Sequence, residues 1–419
     1  MIGIAISAYC TLMTTAWHRR SVLKKLSFSL AELPDSSRVL SLTRTMNGVI
    51  RISVDGIIYQ YQAHGGISSL YTEVLPRICA MDEDISFEIV TTGRIRARLP
   101  THSRIRHTPL FPIDRVLRPQ RLWWRVAPEI RSLVQRPALR TRLESIWHST
   151  YYTLPIGWRG PQVVTVVDMI PELFIKPPDH RFLSRKRNCV MSADVVVCIS
   201  ETTRKDLVNY YGLDQAKTRV VYLGCNDAFA NAGNKEEHVP FSRPFLLYIG
   251  RRSGYKDFAT LFKALANWKN RNDVDLVVVG DQWTSQESKE LSRYNMRSHV
   301  YLVQAPTDGF LSILYHGASA FVYPSLYEGF GIPLVEAMTS GCPIVASRIP
   351  STLEIAADCP YYFVPGNRES LLAAIEAALS EGRHSSRVTN GFIRGKQFTW
   401  DETAKGILSV YAELEKPSP

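Results

Sequence analysis

Two glutamates frame a glycine turn in the run Glu328-Gly-Phe-Gly-Ile-Pro-Leu-Val-Glu336, inside a stretch from Ala320 to Ser347 that reads as strand, loop, helix and strand. Pro333 suits the first turn of that helix, and Gly341, about two turns on, supplies a left-handed residue to end it. Gly329 and Gly331, on either side of Phe330, let a backbone approach a ligand closely, and the N–H groups that open such a helix suit a phosphate. Glu336 can accept hydrogen bonds from two vicinal hydroxyls, as a ribose offers, while Glu328 can face the same ligand from the loop. A sugar carrying a diphosphate fits these groups. Two glutamates eight positions apart also recur by chance as solvated surface carboxylates. The preceding strand, the glycine loop and the capped helix favour the site.

Other charges fall where this site would need them. Gly250-Arg251-Arg252-Ser-Gly-Tyr-Lys256 follows the apolar run Phe245–Ile249, and the carboxyl end of a parallel strand is where anions bind. Either arginine can serve such an anion. In the first half, His64-Gly65-Gly66-Ile67-Ser68 precedes an amphipathic pattern of Leu70, Val74, Leu75 and Ile78. Asp168 closes the run Val163–Val167, and His148 stands either as an inward-facing imidazole or as a satisfied structural one. Ser200 reads as a helix N-cap and Ser351-Thr-Leu-Glu354 as a capping box, with no chemistry required of either.

Glu328 and Glu336, with seven residues between them, match the E-x7-E motif, and through it the chain resembles the retaining glycosyltransferases of the GT-B fold, family four in the usual sequence classification. The resemblance spans about residues 47 to 414. It implies an α/β fold of two Rossmann-like, doubly wound domains facing a central cleft. The implied reaction moves a hexose, mannose-like or similar, from a nucleotide diphosphate sugar to a glycan or lipid-linked acceptor in cell-surface polysaccharide synthesis. Carried over residue by residue, Arg251 and Lys256 meet the donor diphosphate, Gly65 and Gly66 approach it from the opposite lip, and Gly329, Phe330 and Gly331 form the donor loop. Glu336 holds the ribose. Glu328, Lys256 and Asp168 take the catalytic roles, and His148 falls on the acceptor side. Two departures stand out: the family commonly has His-Asp where this chain has Val167-Asp168, and an apolar residue where it has Arg252. No cofactor or metal is expected; Asp273-Val-Asp275 has an Asp-x-Asp spacing but runs into a strand start.

The elements that must position these groups are legible as apolar runs alternating with helical patterns. Val49–Val54, Phe87–Thr91, Gln162–Val167, Val195–Ile199 and Val220–Leu223 form one series. Phe245–Ile249, Asp275–Val279, Val300–Val303, Ala320–Tyr323 and Pro343–Ala346 form a second. Such runs indicate parallel strands buried on both faces, hence two doubly wound domains. The polar segment 231–238 reads as the linker between a domain at 46–235 and one at 236–400. An amphipathic helix with Ala404, Ile407, Leu408 and Tyr411 on one face is expected within 401–419, and residues 1–45 read as an extension outside the fold.

With 419 residues, 45% hydrophobic and 21% charged, the chain is neither fibrous nor largely disordered. Seven scattered cysteines without a C-x-x-C pair indicate a reducing compartment. The apolar stretch Gly3–Trp17 falls short of the ~20 residues that a span requires. The net charge of +11 favours anionic partners. Thirteen arginines between Arg94 and Arg142, with Trp123-Trp124 among them, suit an anionic membrane surface, much of the stretch being compatible with helix. The location this implies is cytoplasmic, peripheral on the inner face of the membrane. Single-stranded nucleic acid is a weaker fit, since no recognition module is evident. A non-transferring relative on the same fold, an epimerase or a nucleotide-sugar binding module, is the other alternative.

Overall fold

The computed structural model describes residues 50–62, 65–91, 93–109, 145–155, 158–230, 239–252 and 254–415. The expected extension at 1–45, the linker at 231–238, His64, Trp123-Trp124 and the arginines from Arg115 to Arg142 lie outside them.

Among the described residues, thirteen strands form two parallel sheets. The first holds β1 (Ile50–Asp55), β2 (Ile85–Thr91), β3 (Ile105–Pro109), β4 (Ser145–Ser149), β5 (Gln162–Val166), β6 (Val195–Cys198) and β7 (Thr218–Val220), in the order β3-β2-β1-β4-β5-β6-β7. The second holds β8 (Phe245–Ile249), β9 (Asp275–Val279), β10 (Val300–Val303), β11 (Ala320–Tyr323), β12 (Ile344–Ser347) and β13 (Tyr361–Phe363), in the order β10-β9-β8-β11-β12-β13. Helices cover both faces, so strand residues such as Ile52, Phe87, Val277 and Phe321 are buried, with Ile52 opposite Phe87 and Leu247 opposite Val277.

Each sheet reverses its strand order once, between β1 and β4 and between β8 and β11. That topological switch point is where loops diverge and leave a crevice at the carboxyl ends. Because β8 and β11 are neighbours, the loops after Ile249 and after Tyr323 emerge side by side although more than seventy residues separate them in sequence.

Three strands fall outside the apolar runs expected from the sequence. β3 is an edge strand whose outward residues are exposed, β4 is fully buried yet reads Ser-Ile-Trp-His-Ser, and β13 has only three residues. The expected strand at Val220–Leu223 is instead Thr218–Val220. Within the basic stretch, Ile105–Pro109 is strand rather than helix. Arg104 there is bound to the carbonyls of Cys79, Asp82 and Ile85, whereas Arg94, Arg96, Arg98 and Arg106 are exposed.

The last helix, Trp400–Glu415, returns to the first sheet and packs on the helix Gly66–Met81. Trp400, Ala404, Ile407, Val410 and Tyr411 form its buried face, the larger side chains each adding on the order of 2 kcal/mol by removal from water. Arg77 bonds Asp401 at 3.0 Å and Arg219 pairs with Glu413 at 2.9 Å along its exposed side. No described helix is long and apolar enough to cross a membrane.

Candidate functional site

The facing carboxyl ends enclose a cavity of about 490 Å³, a size suited to a nucleotide-sized ligand. Gly66, Asp168, Lys256, Glu328, Gly329, Phe330, Gly331 and Glu336 all line it.

Lys256 ends a 3₁₀ turn after β8, and its Nζ lies 2.7 Å from Glu328 Oε1 in the loop after β11. The ammonium is also 5.5 Å from the ring centres of Tyr255 and Tyr323. Both charged side chains are largely withdrawn from solvent, so each depends on the other.

The glycine loop fits for steric reasons. A β-carbon on Gly329 would lie 2.0 Å from the carbonyl of Val167, so the loop after β11 rests directly on the end of β5. The Gly329 carbonyl accepts hydrogen bonds from Ser200 Oγ and from Thr203 Oγ1, the latter at 3.1 Å. Ser200 also caps the helix Glu201–Tyr211, accepting from the Thr203 amide at 2.9 Å. Gly331, with φ of 105°, takes a left-handed conformation and opens the helix Ile332–Thr339. Gly66 begins the helix Gly66–Met81 on the opposite lip, close enough that a β-carbon there would meet Ile332 Cδ1 at 3.1 Å, and Gly65 precedes it in extended backbone. Two helix starts therefore converge on one space, a favourable environment for an anion. The Phe330 ring is buried against Tyr222 and Phe398, anchoring the loop while its backbone faces the cavity.

Glu336 lines the cavity from the helix Ile332–Thr339, where Tyr315 Oη donates to its Oε2 at 2.9 Å. Burial pushes its carboxyl up to about 7, against the pull of that hydrogen bond. Asp168, on the other lip, accepts from the Ile170 amide at 3.0 Å. Burial also raises its pKa, with Lys186 opposing and Glu172 and Glu328 reinforcing.

Several expectations need correction. His148 does not reach the cavity: Tyr411 Oη lies 2.6 Å from its Nδ1 and Thr165 Oγ1 2.8 Å from its Nε2, inside the core. Burial lowers its pKa to about 3, so the imidazole stays neutral and structural, not acceptor-side. Arg252 is not available to an anion, since it bonds Glu287 at 2.7 and 3.2 Å, bonds the carbonyls of Asp281 and Gln282, and lies 4.3 Å over Trp283. Arg251 does not line the cavity either; it is exposed at the rim, with its charge acting on the Tyr151 and Tyr255 hydroxyls. Glu354 closes no capping box in its own helix. It accepts from the amides of Glu201 and Thr202 at 2.6 and 2.8 Å and caps a helix of the first domain.

Spacing gave no sign of Tyr315, Glu172 and Lys186, because their partners lie 14 to 39 residues away. Among the described residues, no group of three or more His, Cys, Asp or Glu is placed to hold a metal ion.

Residues 80–229 match the family described as Glycosyltransferase Family 4, and residues 233–392 the one described as Glycosyl transferases group 1. The O-antigen chain mannosyltransferase B of Escherichia coli is 26% identical over 329 residues, which cover 74% of this chain and 82% of that protein. The O-antigen chain mannosyltransferase RfbU of Salmonella typhimurium is 27% identical over 233 residues, 54% of this chain and 63% of that one. Among solved structures, sucrose-phosphate synthase from Thermosynechococcus elongatus shares the fold with a TM-score of 0.69 at 20% identity, covering 87% of this chain and 98% of that one. Two parallel α/β domains around a cleft are the GT-B architecture. The chain belongs to the family-four glycosyltransferases.

Proposed function

We propose that the enzyme transfers a hexosyl group, with retention at the anomeric carbon, from a nucleoside diphosphate sugar to a glycan or lipid-linked acceptor in cell-surface polysaccharide synthesis. The observation that carries this is the Lys256–Glu328 pair at the ends of adjacent strands, with Glu336 along the following helix in the same cavity. The names of the O-antigen mannosyltransferases support a mannose-like donor.

In this mechanism the bond between the anomeric carbon and the diphosphate breaks with its electron pair going to the phosphate. Lys256 turns from Glu328 to the departing group, Arg251 swings in from the rim, and the helix starts at Gly331 and Gly66 add fixed dipoles. The freed Glu328 carboxylate then steadies the positive character of the sugar. Glu336 grips the ribose hydroxyls, Asp168 faces the incoming acceptor from the opposite lip, and the acceptor oxygen bonds to the anomeric carbon on the face that the diphosphate leaves, its proton passing to the departing phosphate oxygen. Cations and backbone dipoles neutralise the diphosphate in this scheme, so transfer should persist in excess chelator. Exposed Arg94, Arg96, Arg98 and Arg106 support peripheral contact with an anionic membrane, tested by pelleting with anionic liposomes.

A screen of nucleotide sugars for thermal stabilisation identifies the donor, and NMR of the transfer product reads its anomeric configuration. An α donor should give an α product; an inverted product overturns retention. Release of nucleoside diphosphate without any acceptor dependence would instead support a non-transferring relative.

A further inference from the structure

The loop that brings Asp168 to the cavity is clamped from behind by an ion pair with no exposed surface at all. We propose that Lys186, paired with Glu172, is a positioning residue for glycosyl transfer: it fixes the place of Asp168 and supplies the cation that Asp168 faces, without touching substrate. This rests on the proposed transfer reaction, in which Asp168 meets the acceptor.

Lys186 lies on the helix His180–Ser192, and its Nζ donates to the Asp168 carbonyl at 2.7 Å and to Glu172 Oε2 at 3.1 Å. One ammonium thereby ties both ends of the turn from Asp168 to Glu172. Tyr211 Oη donates to Glu172 Oε1 at 2.7 Å, and the Tyr152 ring centre lies 5.1 Å from Nζ, so the pair is saturated with partners. The front of the same loop is fixed by Gly329 packing on the Val167 carbonyl. Held on both sides, the loop sets the width of the cleft at the point where Asp168 enters it.

Stability alone does not account for this arrangement. Desolvating two charges roughly cancels their attraction, and an apolar pair of similar volume serves a core as well or better. What an apolar pair lacks is a donor for the Asp168 carbonyl and a positive charge beside its carboxylate. That charge matters because Glu328 and Glu172 both face Asp168, while Lys256 is already engaged by Glu328. The other ionisable groups around it are the phenols of Tyr151, Tyr152, Tyr255 and Tyr327, with Arg251 acting on two of these. Lys186 is the strongest influence favouring the ionised form of Asp168, and Glu172 opposes it.

The two partners therefore push Asp168 in opposite directions, so replacing each one should move its ionisation the opposite way. In the full-length enzyme, Lys186→Met should move the acidic limb of the kcat/KM profile to higher pH, and Glu172→Gln should move it to lower pH. The double variant Lys186→Met with Glu172→Gln leaves neither member of the pair as a lone buried charge, though the Asp168 carbonyl loses its donor, and it should melt within a few degrees of wild type. It should still lose roughly ten- to hundred-fold in kcat with donor KM unchanged, and its amides at 168–172 should exchange hydrogen faster. A double variant with wild-type kcat and wild-type exchange at that loop overturns the proposal, as do single variants whose acidic limbs shift together. Stabilisation of the wild type by nucleoside diphosphates tests the donor reading separately, and amide exchange decides the role of Lys186 even if that reading fails.

Discussion

Lys256 and Glu328 illustrate how a single residue carries both structure and chemistry. Removing a preorganised donor to a developing oxyanion typically costs ~3 kcal/mol, so Lys256→Ala should lower turnover about 10²-fold. It also leaves Glu328, whose side chain is only 8% exposed, without its partner, so melting should fall by a few degrees. Adding Glu328→Gln to that variant should restore melting and leave turnover low; recovered turnover would remove Lys256 from the site. Glu336 governs pH dependence. Its carboxyl is raised from 4.5 to about 7, so its contribution to stability is full below its ordinary pKa and is lost as pH rises through 7. Ribose hydroxyls bond to the ionised form, so nucleoside diphosphate binding should strengthen over the same rise. Melting curves between about pH 5 and 8, with and without ligand, should show both trends in wild type and flatten in Glu336→Gln.

Among the elements, the glycine loop between β11 and the helix Ile332–Thr339 sets how closely the domains approach. Gly329→Ala places a methyl group 2.0 Å from the Val167 carbonyl, which must part β5 from the loop. Overpacking of this kind costs about 1–3 kcal/mol. Turnover should drop at least tenfold along with the melting temperature. Gly341→Ala, with φ of 59° and no atom nearer than 4.0 Å, should cost only about 1 kcal/mol and spare turnover. If both variants behave alike, the contact with Val167 does not set the cleft. Legibility in the sequence varied along these elements for a physical reason. β8, β9 and β11 stand where their apolar runs fall, because strands covered on both faces need continuous apolar residues. β4 escaped notice because its His148 and serines find hydrogen-bond partners inside the core.

At the scale of the molecule, two of the long-range contacts that bind the halves together stand out. Glu354 of the second domain caps a helix of the first, and the final helix crosses back to bury Tyr411 against His148. Tyr411→Phe should leave the His148 Nδ1 without its partner, at a cost of about 1–3 kcal/mol in stability. Turnover and KM should stay at wild-type values, since neither residue lines the cavity. A change in acceptor KM without loss of stability would return His148 to the acceptor site.

The amino-acid order alone was enough for two doubly wound domains, a glycine loop opening a helix, and the acidic and basic side chains flanking it, because periodicity and turn chemistry act over a few neighbours. Which cation faces the cavity, where His148 points and what holds Asp168 in place were decided by the tertiary structure. Lys256 meets Glu328 across 72 positions because β8 and β11 are adjacent, while Arg252, only four residues before Lys256, is captured by Glu287. Strand order determines which distant groups share a low-dielectric space, and that order is a property of the packed sheet rather than of any local segment.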